Sequence, residues 1–396
     1  MADSSSTILA RVRWTLLAIA LTAVVVAVVW AGPGSTSAQE PSSCDPARPH
    51  DAGTFADQTI TTSDEREREY ILHVPPSYTG AESLPLVFNF HGLGGDAART
   101  ADYTALPAKA DEEGFLLVMP QGRSTELIEA RHWNNVMFGG PEANDVAFIA
   151  ELLDALETQL CVDPARIFAA GNSNGAQMTV RLACSLSERI AAVAPISGVY
   201  FPPMAAELPE AAGCPLTRPV PLIATYGTAD TTIPFDGGPL GPSAGLDLTF
   251  RDVDDAILPE WAAANGCDSV PTEGPVTENV RVIRYQGCDQ GATVELYVIE
   301  GGAHVWPGAE DRDEPDVNDE ISANDLLWDF FVAHPFVAAP EPAPTAEADQ
   351  ALAGPASGTG PASDDAAVAV WLIAVLAAAA VALGGAAGYV GRRLRG

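Results

Sequence analysis

The stretch from Arg166 to Cys184, RIFAAGNSNGAQMTVRLAC, constrains the fold more than any other part of the chain. Arg166 to Ala170 reads as a short buried strand, because its apolar run is unbroken and ends at Gly171. Asn174 to Cys184 reads as a helix, with Ala176, Met178, Val180, Leu182 and Ala183 available for packing. Between them lies Gly171-Asn172-Ser173-Asn174-Gly175, a G-x-S-x-G. A backbone that turns this sharply from strand to helix holds the central serine in a strained conformation, with its hydroxyl above the sheet. The two glycines fall where neighbouring backbone passes too closely for a side chain. In a chain with 35 glycines such a pentapeptide also arises by chance. The strand before it and the helix after it are what point to Ser173 as a nucleophile.

The surrounding pattern fits a sheet that would display such a turn. Glu67 to Val74, Pro85 to Phe90, Phe115 to Met119, Pro221 to Tyr226 and Val294 to Ile299 read as further strands, and Val146 to Leu160 and Ile321 to Val332 as helices. Alternating strand and helix predicts an α/β fold, a mostly parallel sheet with helices on both faces. No internal repeat is found.

A serine hydroxyl needs a base to take its proton and a carboxylate to orient that base. In a fold of this kind the three follow one another as serine, acid, histidine. Only His304 and His334 lie downstream of Ser173. His304 follows the strand Val294 to Ile299 directly and is the expected base, whereas His334 lies beyond the last helix of the domain. Asp230, in Gly227-Thr228-Ala229-Asp230 straight after the strand Pro221 to Tyr226, is the expected acid, with Asp236 and Asp254 as alternatives. Two backbone donors are needed for an oxyanion. Asn174, at the start of the helix, and Leu93, in His91-Gly92-Leu93-Gly94-Gly95, are the candidates, with His91 shaping that turn. The histidines are scattered and the cysteines lack close pairs, so neither a metal nor a cofactor is expected.

Taken together, His91-Gly92 and its glycine-rich turn, Asp145-Val146-Ala147-Phe148-Ile149, the Val162-Asp163-Pro164-Ala165-Arg166 approach to the serine turn, Gly227-Thr228-Ala229-Asp230, and Gly301-Gly302-Ala303-His304-Val305-Trp306-Pro307-Gly308 resemble the polyhydroxybutyrate depolymerase and feruloyl esterase family of α/β-hydrolases. The resemblance spans about residues 54 to 333. It implies a serine esterase with Ser173, Asp230 and His304 as nucleophile, acid and base. Asn172 stands where the family usually has an apolar residue, and Ala303 replaces a common glycine. Trp133 and Trp306 are candidates to line the substrate pocket, the alternative being packing in the core. Within the family the ester is a hydroxyalkanoate polyester, or a feruloyl or acetyl ester of polysaccharide, and the sequence does not choose between them. Acyl transfer to a wall sugar is an alternative reaction, and a surface binding protein on a hydrolase scaffold an alternative of another class.

The ends of the chain read as targeting segments. Arg11 and Arg13 precede Trp14 to Ala31, 18 uncharged residues, and Thr36-Ser37-Ala38 offers a small-residue cleavage site. Residues 1–38 are therefore expected to be a signal peptide, with a retained anchor as the alternative. Residues 39–337 form the expected catalytic domain and 338–365 a Pro/Ala/Gly/Ser-rich acidic linker. Residues 366–390 lack any charge and are long enough to cross a bilayer, which leaves the arginines of 391–396 cytoplasmic. The domain is then expected outside the cell, tethered to the membrane. All six cysteines, at 44, 161, 184, 214, 267 and 288, fall within it, and an exported setting favours disulfides over buried thiols. Cys267 with Cys288 and Cys184 with Cys214 each close a moderate loop, leaving Cys44 for Cys161. The net charge of −33, with a single lysine, Lys109, excludes nucleic acid as a partner.

Overall fold

The computed structural model describes residues 42–124, 129–134, 144–202, 213–240, 248–309 and 317–336, all within the compact unit Met1–Ala338. The expected signal peptide, linker, membrane span and tail lie outside these residues. Among the described residues no helix is long and apolar enough to cross a membrane.

Among the described residues, twelve strands and six helices organise the domain. The strands are β1 (Gly53–Thr61), β2 (Glu67–Val74), β3 (Leu84–Phe90), β4 (Leu116–Pro120), β5 (Val162–Asn172), β6 (Ala192–Ile196), β7 (Leu222–Gly227), β8 (Gly238–Pro239), β9 (Thr249–Phe250), β10 (Thr272–Pro275), β11 (Val280–Tyr285) and β12 (Val294–Ile299). The helices are α1 (Ala97–Thr104), α2 (Leu106–Glu113), α3 (Asp145–Gln159), α4 (Asn174–Ser185), α5 (Leu258–Ala264) and α6 (Ala323–Ala333). Ten strands make one sheet in the order β1-β2-β4-β3-β5-β6-β7-β12-β11-β10, and β8 pairs separately with β9. From β4 to β12 every neighbouring pair is parallel, while β1, β2, β10 and β11 run antiparallel to their neighbours at the two sides. This topology is an α/β-hydrolase sheet extended by two antiparallel strands.

Burial on both faces explains the unbroken apolar runs of the central strands. On β3, Phe88 and Phe90 join a cluster with Ile149, Leu152 and Leu156 of α3 and Met178 of α4, while Val87 points to the opposite face, among Phe115, Phe168 and Phe331. There the Phe168 and Phe331 rings stack at 4.5 Å and pin α6 against β5. The helix α3 begins at Asn144, whose side chain accepts from the Ala147 N–H, and buries Phe148, Ile149, Leu152, Leu153 and Leu156 at helical spacing.

Six of the strands, β1, β6 and β8 to β11, were not expected from the sequence. β1 is an edge strand with a bulge near Asp57, and β11 alternates buried and partly open residues; both lack the continuous apolar run of a central strand. β6 is central but reads AVAPI, too small in its side chains and too short to stand out. β5 also runs further than expected, from Val162 to Asn172.

Disulfides join Cys44 to Cys161, Cys184 to Cys214 and Cys267 to Cys288. The first closes a separation of 117 residues and ties the start of the described chain to the entry of β5. Loop-closure entropy gives such a crosslink about 4 to 5 kcal/mol. The double variant Cys44→Ala/Cys161→Ala is expected to lose about that much in guanidinium unfolding, and a loss below about 1 kcal/mol would contradict this role.

Candidate active site

Ser173 stands at the hinge between β5 and α4 with φ 58° and ψ −120°, a conformation that side chains rarely adopt. What holds it there is packing of neighbouring backbone. A Cβ on Gly175 would lie 2.1 Å from the Phe90 carbonyl oxygen, and one on Gly171 would lie 2.5 Å from the Gly175 oxygen, so α4 starts pressed against the end of β3. The Ser173 N–H donates to the Ile196 carbonyl at the end of β6 (2.9 Å), and Gln177 N–H returns a bond to the Ser173 carbonyl (3.1 Å). The serine is half-buried.

Asp230 and His304 reach the same edge of the sheet on two interlocked loops. Thr228 N–H donates to Ile299 O, Ala229 N–H to Gly302 O, and Gly301 N–H to the Thr228 hydroxyl. His304 Nδ1 meets Asp230 Oδ2 at 2.6 Å. The other carboxylate oxygen accepts from the Thr232 and Ile233 N–H groups at 2.8 and 2.9 Å, which fixes the carboxylate plane in a fully buried setting. With Nδ1 donating to the acid, Nε2 is the ring atom left for proton transfer. His334 instead sits at the end of α6, bonded to Thr293 and Phe330, and Asp254 pairs with Arg281.

The turn expected to supply the second oxyanion donor adjoins the serine. A Cβ on Gly92 would be 3.5 Å from Ser173 Cβ, and Asn172 lies under the same turn. Gly94 N–H is bonded to Arg131 O and Gly95 N–H to Gly92 O, which anchors the turn on either side of half-buried Leu93. The Asn174 side chain is buried and accepts from Trp133 N–H at 2.8 Å.

Strained Ser173 follows β5, and the bonded Asp230 and His304 follow β7 and β12 of the same sheet; comparisons with known proteins bear on what such a site does. A family model described as esterase PHB depolymerase matches residues 68–210, which contain the His91 turn and Ser173 and end before Asp230. Over that segment the chain is similar to a family of carboxylic ester hydrolases. The chain is 30% identical over 241 residues to feruloyl esterase B of Piromyces equi, a match covering 60% of this chain and 42%, less than half, of that relative. It is 29% identical to feruloyl esterase D of Neurospora crassa, over 69% of this chain and 85% of the relative. Among solved structures it is similar to an acetyl xylan esterase from Aspergillus awamori, with a TM-score of 0.47 and 17% identity over 70% of this chain and 100% of that one.

Two expectations about the site need correcting. Trp133 and Trp306 do not line a pocket, since both are buried with their indole N–H groups bonded inside the protein. Trp133 Nε1 donates to His91 O at 2.9 Å and packs edge-on to Phe90, so the residue braces the His91 turn against α4. Trp306 Nε1 donates to Asn324 and its backbone N–H to the Tyr103 hydroxyl, which secures the loop two residues beyond His304. The sequence reading also missed several supports. Asn318 Oδ1 accepts from Ala303 N–H at 3.1 Å, and Asp145, paired at 2.7 Å with buried Arg68, accepts from Asn134 N–H beside Trp133. Asp145 was legible only as part of a motif, because its partner lies 77 residues away.

His91 is held neutral. Its Nε2 accepts from Gly122 N–H at 2.9 Å and its Nδ1 bonds Gly92 O at 2.7 Å, so the single proton sits on Nδ1. Burial pushes its pKa down from 6.5 to about 4. Above pH 6.5 the ring is neutral folded or unfolded and contributes no pH dependence. Between about 6.5 and about 4 only the unfolded chain takes up the proton, so stability falls as the pH is lowered through that window, by about 3 kcal/mol when complete. His91→Gln, which keeps an acceptor for Gly122 and cannot titrate, is expected to flatten this part of the denaturation midpoint against pH. An unchanged slope in the variant would show that His91 is not the group responsible.

Proposed function

We propose that this esterase is a secreted serine carboxylic-ester hydrolase that works through an acyl-enzyme. The observation that carries the reading is the 2.6 Å contact between His304 Nδ1 and buried Asp230, on loops that end at the same sheet edge as strained Ser173. His304 Nε2 takes the Ser173 proton as Oγ attacks the ester carbonyl, and Asp230 steadies the imidazolium. The N–H groups of Asn174, at the helix start, and Leu93 receive the oxyanion. His304 then gives its proton to the leaving alcohol, and water, activated by the same imidazole, releases the acid and restores the serine. Residues 1–38 serve as the export signal and residues 366–390 as the span that keeps domain 39–337 outside the membrane, on the linker 338–365.

The substrate we favour is an ester carried on a hydroxyl-rich polymer, of the feruloyl or acetyl kind that the relatives' names describe. Beside the His91 turn lies a cavity of about 250 Å³ lined by Glu67, Arg68, Glu69, Gln121, Gly122, Arg123, Ser124 and Arg131, donors and acceptors suited to hydroxyl groups. A solid polyester calls for an apolar contact face. Among the described residues the large exposed hydrophobics are Val270, Val276 and Val332, and none lies on the Ser173, Asp230 or His304 loops.

Ser173→Ala should lower turnover by about a million-fold, and Asp230→Asn by about ten-thousand-fold, with the fold intact by circular dichroism. Asp236→Asn and Asp254→Asn are controls expected to stay near wild type. A Ser173→Ala enzyme within about tenfold of wild type, or a control that loses the activity in place of Asp230→Asn, would overturn the assignment. For substrate class, release is expected from methyl ferulate and acetylated xylan and not from polyhydroxybutyrate granules. Release from the granules alone would reverse the preference.

A further inference from the structure

Ser197 lies outside the catalytic set yet touches each of its supports. It follows β6 directly, is 1% exposed, and has φ 49°. Serine is seldom found in that region, whereas glycine enters it without a steric cost. Its N–H donates to Thr225 O on β7, the strand that leads to Asp230 (3.0 Å). Its hydroxyl donates to the carbonyl of Val305, the residue after His304, at 3.0 Å. The residue before it, Ile196, accepts the Ser173 N–H. The residue after it, Gly198, runs so close under the turn that a Cβ there would lie 2.5 Å from Ser173 O and 2.9 Å from Ala176 Cβ. One strand end is thereby joined to the nucleophile turn, the acid strand and the base loop. The hydroxyl is the only atom that serine adds here beyond a Cβ, and it makes the link to the base loop.

We propose that Ser197 is a positioning residue for ester hydrolysis: its hydroxyl fixes the loop carrying His304 to the strand end that holds Ser173. The inference rests on the reading of Ser173 and His304 as nucleophile and base. Buried as it is, Ser197 does not meet substrate. Removing its hydroxyl frees the Val305 carbonyl and lets the imidazole drift from the line between Ser173 and Asp230, which slows the chemical step and leaves ground-state binding alone.

Ser197→Ala and Ser197→Gly separate this role from a structural one. Both should lower kcat by about 10- to 100-fold on a short nitrophenyl ester, with KM within about twofold of wild type. Glycine relieves the backbone strain, so Ser197→Gly should melt at or above Ser197→Ala while being as slow. If the alanine variant does not fold, the glycine variant carries the test. A folded variant with kcat within about twofold of wild type, or a loss carried by KM, would overturn the proposal. Ser173→Ala measured alongside keeps the two readings distinct. An active Ser173→Ala would overturn the nucleophile itself, whereas an inactive one beside a fast Ser197→Gly would overturn only the role of Ser197.

Discussion

The close approach of α4 to the end of β3 is the constraint on which the site depends. With Gly175 against the Phe90 carbonyl, the chain has room for one sharp turn, and that turn forces positive φ on Ser173. The same contact brings the His91 turn, which continues from Phe90, alongside the serine. Backbone strain of this kind costs about 1 to 3 kcal/mol and persists only where its surroundings over-determine it. Here they do so through the Ile196 carbonyl, the Gly175 contact and the helix that begins at Asn174. The burial of β3 and β5 on both faces supplies the rigidity against which the strain is held.

The two histidines at the sheet edge show how environment divides one residue type between two tasks. His91 is enclosed, bonded at both nitrogens within its own turn and the Gly122 backbone, and kept neutral by desolvation. It is a structural strut for the turn beside Ser173. His304 is partly open and is held at one nitrogen by a buried carboxylate whose second oxygen is already satisfied by two backbone donors. That leaves its other nitrogen available for chemistry. Trp133 joins the two halves of the site through backbone and side-chain bonds to Asn174 and His91, although no part of it is exposed.

Much of this was legible in the sequence because the decisive signals were local. A strand, a G-x-S-x-G and a helix fall within 19 residues, and the acid and histidine each follow a mostly apolar strand. The loops bearing Asp230 and His304 were therefore placed at the correct edge by strand order alone, and the short His–Asp contact follows from the pairing of β7 with β12. What was not legible depends on pairing at a distance or on inconspicuous residues. β6 is short and alanine-rich, so the strand that accepts the Ser173 N–H and presents Ser197 went unread. The tryptophans were misread for a related reason. An indole in a loop beside a motif reads as a ligand platform until the partners of its N–H are known, and Asn324 and His91 could not be paired with these rings from spacing.

The central claim, that Ser173 carries the acyl group, is tested most directly by trapping it. The enzyme is quenched in acid during turnover of a slowly deacylating aryl ester, cut after arginine, and analysed by mass spectrometry. Cleavage after Arg166 and Arg181 gives the fragment 167–181, in which Ser173 is the sole serine. The account predicts the acyl mass on that fragment, localised to Ser173. A fragment that remains unmodified while the ester is being consumed, or an acyl group localised to another residue, would contradict it.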